Sequence, residues 1–117
     1  MKETKKLDIR YVMENADFHD VSADHKWALW VWKNIVFIKV AGFWSIEESH
    51  IYMNRFWAIF LRLKQNWRKV YFLIDTNYME IQTESFRRYM KEHWAHLADQ
   101  DDLLICIIDK QSIKRLI

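Results

Sequence analysis

Between Lys69 and Trp94 the chain reads KVYFLIDTNYMEIQTESFRRYMKEHW. An apolar run meets the carboxylate of Asp75, passes through Thr76 and Asn77, and reaches the hydroxyls and carboxylate of Thr83, Glu84 and Ser85 at a helix start. A phosphoryl group on Thr83 or Ser85 would lie beside free backbone N–H groups, which favour a dianion. Thr83 serves equally well as a plain N-cap. Asp75 and Asp109 each end an apolar run at what the spacing predicts to be one edge of a sheet, where carboxylates can face a ligand crevice; both are also ordinary loop-entry residues. Two further groups have the residue types of metal ligands: Glu92, His93 and His96, and the early set His19, Asp20, Asp24 and His25. Neither follows a ligand motif. The segment EHWAH lacks the i, i+4 histidine pair of a zinc helix, and His96 falls off the helical stripe that holds His93. No nucleophile and base stand close together in the sequence, and a serine nucleophile needs a tight elbow usually supplied by glycine. The expectation is a domain that is not an enzyme and has no metal and no cofactor.

Composition narrows the classes further. With 117 residues, 51% of them hydrophobic, the chain suits one domain, able to bury roughly two-thirds of its unfolded surface. Charged residues make up 29% but the formal net charge is only +2, too weak a field to recruit nucleic acid. No segment reaches the ~20 apolar residues of a membrane span, and MKETKKLDIR is not followed by an apolar stretch of signal-peptide length. The single cysteine, Cys106, lies inside LLICIID and cannot form an internal disulfide, so a reducing, cytoplasmic setting is expected. There is no proline and one glycine, Gly42, which excludes Walker and dinucleotide phosphate loops. Seven tryptophans fill volume in a short chain, or else line a ligand pocket or an interface.

The elements that position these residues follow from periodicity. Leu7 to Met13 alternates loosely and reads as a first strand, followed by a polar loop to Lys26. Trp27 to Trp32 and Ile35 to Ala41 are β-prone runs separated by Lys33 and Asn34, the spacing of a two-residue hairpin; Asn34 takes positive φ more readily than Lys33. Ser45 and Glu48 form a capping box that opens a helix to about Asn66. Its apolar positions, from Ile46 to Leu63, spread beyond the ~100° stripe of a helix packed on a sheet. The surplus must meet a neighbouring helix, a dimer partner or an apolar ligand. Val70 to Asp75 and Leu103 to Ile108 read as buried strands. Between them Thr83 caps a helix with the stripe Phe86, Tyr89, Met90, His93, Trp94 and Leu97, and Gln111 to Ile117 reads as a short final helix. This order predicts an α/β fold: a mixed, mostly parallel sheet of four to five strands, with a strand and loop over 1–26 and the core over 27–117.

From Trp27 to Ile117 the hairpin IVFIKVAGFWSIEES, the long helix, the strand KVYFLID, a second helix and LLICIID resemble the STAS family (sulfate transporter and anti-sigma-factor antagonist domains), in particular its SpoIIAA-like branch. In phosphorylatable members the loop before the second helix carries an aspartate, the phosphoacceptor, a serine and a glycine. The matching positions here are Thr83, Glu84, Ser85 and Phe86, so Glu84 stands where the acceptor would be. Glu84 either mimics a fixed negative charge at a helix N-terminus or is simply a good helix-start residue. The resemblance implies a SpoIIAA-like topology and a regulatory or interaction module without the usual phosphoacceptor switch. Its contact surface would be Asp75, Thr76, Asn77, Thr83, Glu84 and Ser85, facing a protein partner or a second copy. The alternative is a carrier or sensor of a small apolar ligand held between the helix over 45–66 and the sheet by Trp44, Phe56, Trp57 and Phe60. A third reading is an enzyme that uses Asp75 and Asp109.

Overall fold

In the computed structural model, which describes residues 9–97, 100–108 and 113–115, six strands form one mixed sheet in sequence order. They are β1 (Phe18–Val21), β2 (Trp27–Trp32), β3 (Ile35–Gly42), β4 (Val70–Met79), β5 (Leu103–Ile108) and β6 (Ile113–Arg115). The helices are α1 (Ile9–Glu14), α2 (Ile46–Lys64) and α3 (Glu84–Leu97). The β2–β3 hairpin turns on Lys33 and Asn34 as expected, with Trp30 opposite Phe37. Positive φ falls on Lys33, at 56°, and not on Asn34. Asn34 has another task. Its side-chain amide donates to the Lys69 carbonyl at 2.9 Å, and its carbonyl accepts from the Tyr71 N–H, so the turn is tied to the start of β4.

β3–β4 and β4–β5 are parallel, whereas β1–β2, β2–β3 and β5–β6 are antiparallel. The fold is therefore α/β with a mixed sheet, but antiparallel pairings outnumber parallel ones and the sheet is wider than expected. Both extra ladders come from the chain ends. Phe18–Val21 pairs with β2 inside a segment read as loop, because its polar residues mask a short edge strand. Ile113–Arg115 lies antiparallel against β5, where the sequence suggests a helix over 111–117; of that stretch, 111, 112, 116 and 117 lie outside the described residues. An edge strand with unpaired backbone groups is a strong template for a following segment, which overrides weak helix propensity.

The expected first strand is corrected as well: Ile9–Glu14 is helical, while Leu7 lies outside the described residues. Ile9, Val12 and Met13 share one helical face at i, i+3, i+4, and they pack on Phe37 and Leu73. Alternation and helical spacing both fit this short segment. Packing decides between them.

The sheet is covered on both sides. On one face Val36, Ile38, Phe72, Ile74 and Ile105 meet α2 and α3, and on the other Phe37 and Leu73 meet α1. The broad apolar flank of α2 is divided between the sheet and α3: Phe56 stacks on Phe72 at 4.0 Å, while Trp57 meets His96 and His50 stacks on Tyr89. A neighbouring helix thus takes part of the surplus arc, while Ile59 and Leu63 face the flank beside Phe18 and Val31. Ile51 and Leu61 stay exposed.

Both arms of the α2 capping box are formed. The Glu48 N–H donates to Ser45 Oγ at 3.1 Å and the Ser45 N–H to Glu48 Oε1 at 2.7 Å. Lys26 also donates to Glu48 at 2.8 Å; this bond first, and the Ser45 N–H second, hold the Glu48 carboxyl below the usual glutamate range. Replacing Ser45 with alanine leaves the Glu48 N–H without its acceptor. Urea titration will show a loss of about 1 kcal/mol with an unchanged m-value.

Candidate functional site

The site grows from the point where β3 ends. Gly42 has φ +83°, a left-handed conformation in which a side chain is strained, and it turns the chain from β3 into the loop Phe43–Ser45 ahead of α2. Beside it β4 continues to Met79, well past the expected end at Asp75, so Asp75, Thr76 and Asn77 belong to a strand and not to a loop. The connection to α3 is only residues 80–83. In this extension Lys39 lies opposite Asp75 and Ala41 opposite Tyr78, so two steps on β3 match three on β4. This bulge breaks the two-residue alternation. Thr76 and Met79 both turn toward the α2–α3 side as a result, and Tyr78 projects outward at 66% exposure.

Gln82 joins the two loops. Its Oε1 accepts from the Trp44 N–H at 2.9 Å, and its Nε2 donates to the carbonyls of Gly42 at 2.8 Å and Glu80 at 2.6 Å. The Glu80 N–H also donates to the Gly42 carbonyl. From the other side Lys26 Nζ donates to the Phe43 carbonyl at 2.6 Å. With their backbones held in this way, the loops and the end of β4 expose Phe43 at 46%, Tyr78 at 66% and Ile81 at 88%. The three residues stand on adjoining backbone where β3 and β4 end.

Between these strand ends and the helices is a cavity of about 290 Å³. Val40, Ile74 and Ile107 from the three parallel strands make its floor. Thr76 and Met79 from the bulge, Trp44 and Tyr52 from the α2 side, and Phe86 and Met90 from α3 enclose it. In open α/β sheets, ligands bind at this place, the carboxyl ends of the parallel strands. Among the described residues, two other hollows lie along the flank between β1–β2 and α2, where charged side chains such as Lys33, Arg55 and Arg62 line them and Arg55 pairs with Asp20, and a third lies between the β1–β2 loop and the start of α2 beside Lys26 and Glu48.

The residues singled out in the sequence divide between these regions. Thr83 is the N-cap of α3, its hydroxyl accepting from the Phe86 N–H at 3.1 Å; Glu84 and Ser85 open that helix, and Glu84 pairs with Arg88. Thr76 lines the cavity. Asp75 sits one residue beyond Ile74 and hence on the opposite face, where its Oδ1 accepts from the Asn77 N–H at 2.9 Å. The Asn77 side-chain oxygen is buried and has no hydrogen-bond partner among the described residues. Asp109 lies outside the described residues, as does the side chain of Trp94.

Of the four aromatic residues, only Trp44 borders the cavity. Phe56 and Phe60 have no exposed surface and belong to the core, and Trp57 packs on Phe60 and His96. The histidines are occupied in other ways. His19 stacks on Trp30, and His93 contacts the Tyr89 ring and has its Nδ1 3.1 Å from the Tyr89 carbonyl oxygen; among the described residues, no three His, Cys, Asp or Glu side chains gather in a group able to hold a metal ion. Among them, too, no helix is long and apolar enough to cross a membrane.

Sequence reasoning does not reach Phe43 or Tyr52 as site residues, and Tyr78, Ile81 and Gln82 enter it only as unnamed members of the segment from Thr76 to Ser85 read as a contact loop. Their one visible signal is the presence of large apolar residues in turn segments, Phe43 after Gly42 and Ile81 between Glu80 and Gln82. Comparison with known proteins identifies no relative: no family model matches the chain, and no curated protein or solved structure matches it significantly.

Proposed function

We propose that this domain is a non-enzymatic protein-interaction module of the SpoIIAA-like kind, acting in the cytoplasm and without a phosphoacceptor switch. The observation that carries this reading is the exposure of Phe43, Tyr78 and Ile81 on adjoining backbone. Single exposed apolar residues are ordinary on a protein surface, but here three large ones stand on adjoining backbone, two of them on loops that Gln82 and Lys26 hold in place, so presenting them costs little ordering. The resemblance over Trp27 to Ile117 supports the same surface, since it assigns partner contact to the segment between β4 and α3. Glu84 in the acceptor position supports a constitutive contact, because a carboxylate offers a kinase no hydroxyl. The Thr83 hydroxyl is engaged in capping α3.

Ile81→Glu tests this reading. At 88% exposure the residue has little packing to lose, so melting will move by no more than about 0.5 kcal/mol. Light scattering across a concentration series and affinity capture from the source cell, run beside the wild type, will show a self-complex or a captured protein that the variant binds about tenfold more weakly. A wild-type chain that stays monomeric and retains no protein that the variant loses would refute the proposal.

A further inference from the structure

We propose that the hollow between β1–β2 and the C-terminal half of α2 binds a small amphipathic monoanion, a single carboxylate on an apolar body. Its volume is about 430 Å³. A closed cavity of about 150 Å³ holds benzene, so by proportion this hollow admits at most about 17 non-hydrogen atoms, and fewer because it is open on the side of Phe18 and Trp67, which are partly exposed. The walls are of two kinds. Val31 from β2 and Ala58, Ile59 and Leu63 from α2 give an apolar floor, flanked by the rings of Phe18 and Trp67. Around it stand charged groups, with Lys33, Arg55 and Arg62 against Asp17 alone.

The cations are not equivalent. Arg55 pairs with Asp20 and holds its guanidinium over the Phe18 ring, 5.8 Å from the centroid, so it fixes a wall and its charge is already matched. Lys33 carries its ammonium over the Trp32 ring at 4.9 Å, and its backbone N–H donates to Asp17 Oδ2 at 3.3 Å. Further along α2, Lys64 pairs with Asp102 at 2.9 Å. Arg62 lines the hollow and has neither an ion pair nor a side-chain hydrogen bond among the described residues. A guanidinium offers a planar fork that matches a carboxylate, and this sets the head group. One free fork with Asp17 in the same lining suits one negative charge, because a dianion such as phosphate would bring its second charge toward the Asp17 carboxylate. The floor takes the apolar body. The hollow shares no lining residue with the cavity at the strand ends, and the site does not depend on whether Phe43, Tyr78 and Ile81 bind a protein.

Octanoate and 1-octanol share a tail and differ in the charge of the head, so they are the probes, with octylamine as the opposite charge. The full chain, labelled with 15N at the tryptophan indoles and 13C at the methionine methyls, is titrated with each below its micelle concentration and followed by NMR. The Trp67 indole will shift progressively with octanoate, whereas Trp44, whose indole donates to the Ala41 carbonyl, and Met79 and Met90 in the other cavity will not. Octanoate will bind about fivefold tighter than octanol, the worth of one partly exposed ion pair, and octylamine will bind weakest. Arg62→Gln will bring the ratio of octanoate to octanol close to one and leave octanol affinity unchanged. Arg62 is exposed and unpaired, so this variant will keep the wild-type melting temperature. No shift at Trp67 with octanoate, or shifts at Met79 and Met90 in its place, would overturn the site, and a preference for octanoate that survives in Arg62→Gln would overturn the role of Arg62.

Discussion

Phe56→Ala will lower the unfolding free energy by about 3–5 kcal/mol, the usual range for truncating a buried aromatic residue. Phe56 has no exposed surface and stacks on Phe72 with ring centroids 4.0 Å apart and planes inclined by 22°. It joins the middle of α2 to the central strand β4, so neither neighbour can close the space without moving its whole element. A domain of this size is stable by about 5–15 kcal/mol, and the loss therefore lowers the melting temperature by more than about 10 °C. Chemical and thermal denaturation followed by circular dichroism will measure it. The same experiment separates a core residue from a ligand contact. If Phe56 lined an open pocket, the cost without ligand would be below about 1 kcal/mol, and the variant would lose instead the stabilisation that an added ligand gives the wild type.

The second large effect is expected at Gln82. Gln82→Ala removes three hydrogen bonds at once and leaves the Trp44 N–H and the carbonyls of Gly42 and Glu80 without that partner. Gln82 is 8% exposed, so water reaches these groups poorly, and the cost is about 2–4 kcal/mol. The effect is local as well as global. Hydrogen exchange at the Trp44 amide will accelerate, and the loops that carry Phe43 and Ile81 will lose their fixed separation. Gln82→Glu will be at least as damaging despite its similar shape. A carboxylate can still accept from Trp44, but it cannot donate to the carbonyls of Gly42 and Glu80 and faces both with a negative charge. A loss below about 1 kcal/mol for the alanine variant would show that the two loops are held by Lys26 and the strand ladder alone.

Local chemistry explains which parts were legible in the sequence. The hairpin is legible because two apolar runs flank a two-residue spacer, and the start of α2 because Ser45 and Glu48 satisfy each other within four residues. Val70–Ile74 and Leu103–Ile108 are readable as buried strands because both of their faces are apolar. Thr83 marks the start of α3 for the same reason that Ser45 marks α2: a side-chain oxygen takes a backbone N–H that the helix leaves free.

The errors occur where distant groups decide. Ile9 to Met13 satisfies two periodicities, and only the presence of Phe37 and Leu73 favours the helix. The strands at Phe18–Val21 and Ile113–Arg115 exist because β2 and β5 present backbone groups to be paired. The bulge after Asp75 belongs to the β3–β4 register, which no feature of β4 alone encodes.

What the sequence determines by itself is the set of local elements, namely the hairpin, two capped helices and two oily strands, and with them a single α/β domain, because each is specified by contacts within a few residues. What only the tertiary structure decides is the site. Gln82 reaches across about forty positions to Gly42 and Trp44, and Met79 lines the cavity only through a slip against β3. Hydrogen bonds and cavities between segments far apart in the chain depend on relative placement, a property of the packed whole that no stretch of sequence carries alone.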